Sequence, residues 1–129
     1  MAVSWVTQVG GVELAVGALS GWVIALSVDR PHVLRRAGVQ NLVRLRQAHV
    51  DLIVMGVILL AVGMAAPELP TVWQALLVAG AWVNPLLFLP LAVRPEAQRA
   101  LPYRVVTLAS FAAMSAGTVA VAVHLVAGA

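Results

Sequence analysis

The 129-residue chain (13.5 kDa) is 62% hydrophobic and only 10% charged, with a mean hydropathy of +0.98, which is not the composition of a soluble domain. Its pI near 11.2 comes from eight arginines and no lysine against five acids, a net charge of only +3, so the basic residues speak first to membrane orientation and not to nucleic-acid binding. Zero cysteines exclude a disulfide framework, a zinc knuckle, a thiol nucleophile and cysteine-ligated haem or iron–sulfur clusters.

A helix needs about 20 apolar residues to cross the hydrocarbon core, and the sequence has four such runs, at 5–28, 48–66, 71–93 and 105–127. The expected fold is a single all-α domain, a bundle of four transmembrane helices. The first run has no Lys or Arg before it and is too long for a cleaved leader, so it is read as a resident span.

The segment 29–47 carries Arg30, Arg35, Arg36, Arg44 and Arg46 against Asp29, net +4, and the segment 94–104 carries Arg94, Arg99 and Arg104 against Glu96, net +2. The short hairpin 67–70 contains only Glu68. All eight arginines thus fall on one side of a four-span topology, which places both long loops in the cytoplasm and both termini outside, in a bacterial inner or cytoplasmic membrane. Leu42, Val43 and Leu45 interleave with Arg44 and Arg46, the pattern of a basic helix running along the interface into the second span, with Asn41 as its cap. Arginine snorkelling and anionic-lipid binding both fit this loop; His32 beside Pro31 reads as a solvated loop residue.

Helices in lipid associate through small residues, and the first span offers Gly17-Ala18-Leu19-Ser20-Gly21, the fourth Ala109, Ala113 and Gly117. Pro85 and Pro90 predict a kink in the third span.

A charged group at mid-span costs about 2.5 to 3.5 kcal/mol on insertion scales, which makes each one a candidate site. His49 opens the second span, and Gly56 falls on its face at i+7. One reading is an imidazole haem ligand beside a glycine that admits a flat porphyrin, with Arg44 and Arg46 near the propionates; the other is an interfacial histidine beside a packing glycine. Asp51 lies about 200° round the helix from His49 and reads as a first-turn residue that caps or pairs with arginine, or as part of a neighbouring subunit's site. Glu13 and His124 lie at comparable depth near the outer face, as an ion pair or as an outward proton or cation site. Trp82, Asn84 and Pro85 cluster in the third span, with Phe88 one turn on as an aromatic wall. Asn84 there satisfies the carbonyl that Pro85 frees or hydrogen-bonds a substrate. Tyr103 reads as an aromatic-belt residue.

Arg46-Gln47-Ala48-His49, Met55-Gly56 and Gly80-Ala81-Trp82-Val83-Asn84 together resemble the small four-span membrane isomerases that include styrene oxide isomerase and hydroxylaminobenzene mutase. The resemblance covers the second and third spans, with Met55 where the family has Asn and Phe88 where it has Tyr. It implies haem b at a subunit interface of a homotrimer, with His49 as the axial iron ligand and Gly56, Arg46 and Arg44 around the cofactor. Trp82, Asn84 and Phe88 then form the pocket for a small hydrophobic substrate, an epoxide or N-aryl hydroxylamine, rearranged without net electron transfer. Two other classes compete. One is a proton-coupled exporter using Glu13, since Gly11-Val12-Glu13-Leu14 in a short first span resembles the small multidrug transporters; the other is a non-catalytic accessory subunit docked through the arginine-rich face.

Overall fold

The computed structural model describes residues 2–128 and is all-α. Its elements are α1 (Trp5–Asp29), α2 (Pro31–Arg36), α3 (Leu42–Ala65), α4 (Thr71–Leu86), α5 (Phe88–Val93), a 3₁₀ turn (Pro95–Arg99) and α6 (Leu101–Gly128). Four helical stretches are long and apolar enough to span a membrane: α1, α3, α4 with α5, and α6. The protein is therefore described as an integral membrane four-helix bundle.

Local chemistry sets the element ends. Ser4 caps α1, its Oγ accepting from the Thr7 amide at 3.2 Å. Pro31 opens α2 at a position where its missing N–H is not needed. The turn after α2 closes on Gly38 at φ 102°, where the Val39 amide donates to Leu34 O (3.0 Å) and the Gly38 amide to Arg35 O (3.1 Å). This is a Schellman ending that only glycine fills without strain. The expected loop 29–47 thus contains a short helix. Asn41 caps α3 as expected, its Oδ1 accepting from the Val43 amide at 3.1 Å. The second span accordingly starts six residues before the predicted boundary of 48, the basic segment being its first turns, and the fourth starts at Leu101 in place of 105.

α1 packs along α3, α6 packs on α4, and α3 joins the two pairs. The α1–α3 contact is built on glycines. A methyl at Gly10 would meet Leu59 Cβ at 2.7 Å, at Gly56 the Leu14 amide nitrogen at 2.6 Å, and at Gly17 the Ile53 amide nitrogen at 2.9 Å. Such backbone proximity is what drives association in lipid. Across the other pair, Gly80 faces Met114 and Gly117 faces Leu77.

The best-packed core, Val6, Leu59, Val62, Leu69, Leu77 and Val121 among others, sits at the end of the bundle that holds the 67–70 hairpin. Gln74 fastens that end. Buried, it donates to Leu69 O at 2.8 Å and accepts from the Trp5 indole. At the opposite end, the Gln40 and Asn41 amides both donate to Ala92 O, at 2.8 and 3.0 Å. The two arginine-bearing segments are therefore neighbours at one end, as the charge pattern predicts. The expected kink is a break at Leu87 between α4 and α5.

Candidate functional site

His49 sits on the α1-facing side of α3, half-buried, with Nδ1 2.9 Å from Gly17 O and 2.8 Å from Ser20 Oγ. The Ser20 hydroxyl proton is committed to Gly17 O at 2.6 Å. Gly17 O can only accept, and Ser20 Oγ has only a lone pair left to offer, so the proton on the imidazole belongs to Nδ1. Nε2 then carries a free lone pair. The ring lies beside Gly21, where a methyl would be 3.3 Å from Cε1 and 4.0 Å from Nε2. An N–H anchored on a backbone carbonyl with the second nitrogen bare is how proteins orient a metal-ligating histidine. His49 thus has the orientation of a metal-ligating histidine, which fits the haem ligation that the resemblance implies.

Gly56 does not provide the expected flat face. The α1 backbone at Leu14 fills that space, so Gly56 is a helix-packing residue. Arg44 also departs from expectation. It donates to Gln47 Oε1 at 2.9 Å and lies 6.0 Å from the centroid of Phe88, which turns it away from His49 toward α5. Arg46 is exposed and lines the same side of the bundle.

A cavity of about 310 Å³ opens between α3, α4, α5 and α6. Asp51, Met55, Asn84 and Phe88 line one side, and Tyr103, Thr107 and Phe111 the other. Asp51 and Phe88 also line an adjoining recess with Val43, Arg46 and Gln47. Asn84 and Phe88 are thus brought together as expected, whereas Trp82 packs on the apolar core and not into the cavity. Asn84 is not spent on the carbonyl freed by Pro85: its Oδ1 accepts from Ser110 Oγ of α6. The Tyr103 hydroxyl donates to Leu87 O at 2.7 Å, supporting the α4–α5 break. Ser110 and Tyr103's tie to Leu87 were invisible in the sequence, because nothing local marks which residue of α6 faces α4.

Asp51 is not the first-turn residue expected, since α3 begins nine positions earlier, and it forms no ion pair among the described residues. It lies across α3 from His49, so the cavity and the free Nε2 face different sides of the chain. Glu13 and His124 do not pair. Glu13 is fully buried, with both carboxyl oxygens lacking a hydrogen-bond partner among the described residues. His124 instead lines a separate apolar recess of about 640 Å³ with Trp73 and Val119, near the hairpin end.

No protein-family model, curated protein or solved structure matches the chain significantly. Function must therefore be argued from these side chains.

Proposed function

We propose that the protein is a membrane isomerase that holds haem b on His49 and rearranges a small aromatic substrate without net electron transfer. The observation that carries this is the fixed His49 ring, with Nδ1 bound to Gly17 O and Nε2 free. Haem, when bound, supplies a Lewis-acidic ferric iron. The chain's own contribution is orientation: Ser20 and Gly17 hold the imidazole plane, and the surrounding spans exclude water. Arg46, three residues before His49, is proposed as the propionate partner, although in this chain it lines the recess on the Asp51 side of α3.

Asn84 and Phe88 are proposed to orient the substrate. Because their cavity lies across α3 from His49, a complete site takes the histidine of one copy and the cavity of another, which supports a homo-oligomer, a trimer by resemblance. Met55 in place of Asn and Phe88 in place of Tyr remove two hydrogen-bonding groups, so substrate selection falls to Asn84 and Asp51. We further assign the arginine end to the cytoplasmic face of a bacterial membrane, with the termini outside.

The reaction is tested with haem-loaded protein in detergent, without reductant, by product analysis on styrene oxide and on N-phenylhydroxylamine. Conversion of either one, lost in His49→Ala, is expected. Haem-loaded protein that converts neither would overturn the isomerase assignment. A second reading, a proton-coupled exporter, is favoured by one observation, the unpartnered Glu13 carboxyl. Under it Glu13→Gln abolishes proton-linked substrate movement in vesicles, while under the haem reading Glu13→Gln leaves the cofactor in place.

A further inference from the structure

The cavity between α3 and α6 has features that a neutral apolar ligand does not use. Asp51 faces it without an ion-pair partner among the described residues. Arg44 is held by Gln47 and lies over the Phe88 ring, and Arg46 lines the adjoining recess, but neither forms an ion pair with Asp51. Glu13 adds a second acid inside the spans, again with no basic partner among the described residues. A carboxyl group at this depth is retained where something neutralises it.

Around Asp51 the walls are aromatic. Phe88, Tyr103 and Phe111 all line the cavity, and the guanidinium of Arg44 near the Phe88 centroid shows that this ring already receives a cation. Asn84 is 8% exposed, and its recorded side-chain bond uses Oδ1, which leaves the amide nitrogen to donate into the cavity. Phe111 is 56% exposed on the outer surface of α6, so the cavity is reached from the side, away from the arginines at its mouth.

A bare metal ion is a poor match, since hard cations need several oxygen ligands close together, and here one carboxylate stands among rings and an amide donor. A neutral hydrocarbon would fill the space and leave Asp51 desolvated without a partner. We propose that this cavity is a binding site for a small organic ammonium ion with an aromatic body, with Asp51 as counter-ion, Phe88 and Phe111 as cation–π and stacking walls, and Asn84 orienting any oxygen the ligand carries. Within one chain the cavity lies on the other side of α3 from His49, so the cation is bound without the histidine of that chain and competes there with the substrate of the proposed isomerase.

The test is equilibrium dialysis of detergent-purified protein with benzyltrimethylammonium and with its uncharged isostere, neopentylbenzene. The wild type binds the cation more tightly than the isostere. Asp51→Asn weakens cation binding by about tenfold or more, Asp51→Glu restores most of it, and Phe88→Ala weakens it several-fold. Equal binding of cation and isostere by the wild type, or undiminished cation binding by folded Asp51→Asn, overturns the proposal. The wild-type comparison decides the matter even if the asparagine variant does not fold. Loss of haem binding in a separate experiment would leave this result standing, and the reverse also holds.

Discussion

At His49 the hydrogen-bond inventory decides the chemistry more than the residue's position does. Ser20 gives its proton to Gly17 O, so Nδ1 is the ring nitrogen that donates, and ¹⁵N NMR of histidine-labelled protein should find the neutral ring as the Nδ1–H tautomer. Ser20→Ala removes one of the two anchors, and haem affinity, read by transfer to an acceptor globin, should fall by about tenfold to hundredfold, as outer-shell losses do. Unchanged affinity would mean that the ring's orientation does not matter to the ligand. His49, Asn84 and Phe88 were legible in the sequence because a polar or aromatic group in an apolar run stands out against the lipid cost of keeping it there. Partners were not: Ser20 lay inside a glycine motif that reads as packing, and Ser110 inside a run of small residues.

Among elements, the α1–α3 pair shows where the sequence misleads. Gly56 on the His49 face reads equally as a cofactor cradle and as a packing glycine, and only the position of α1 separates the two, since a methyl there would lie 2.6 Å from the Leu14 amide nitrogen. Gly56→Ala should therefore destabilise the folded bundle by about 1 to 3 kcal/mol, the usual cost of overpacking. Gly128→Ala, with nothing within 4 Å of the added methyl, should not. Unfolding in a graded detergent–denaturant series measures both, and equal stability of the two variants would show that the α1–α3 contact does not carry the pair. Span number and order followed from hydropathy alone, whereas the α3 start at Leu42 required the Asn41 cap to be weighed above the charges that follow it. Pro85 and Pro90 announced the α4–α5 break, but not that Tyr103 would supply the hydroxyl that satisfies Leu87 O.

For the whole molecule, the division of labour runs along the bundle axis. The hairpin end is closed by Gln74 and the apolar core, and the arginine end contains His49, Asp51 and the cavity. The proposed orientation in the membrane rests on the eight arginines at one end. The chain has no cysteine, so Ala37→Cys and Glu68→Cys report separately. An impermeant maleimide applied to intact cells should label the cysteine at 68 and spare that at 37, and the opposite pattern would invert the topology. Charge asymmetry and span lengths made the architecture readable from sequence, but the cavity was not, because it is assembled from four elements distant in the chain.

The claim on which the functional account turns is that His49 carries haem, and an absorption spectrum of the detergent-purified protein, oxidised and then dithionite-reduced, tests it most directly beside His49→Ala. The account predicts a near-stoichiometric Soret band that shifts on reduction and is missing from a folded His49→Ala variant. Protein that stays colourless when haem is supplied during expression, or a variant that keeps the band, would contradict it.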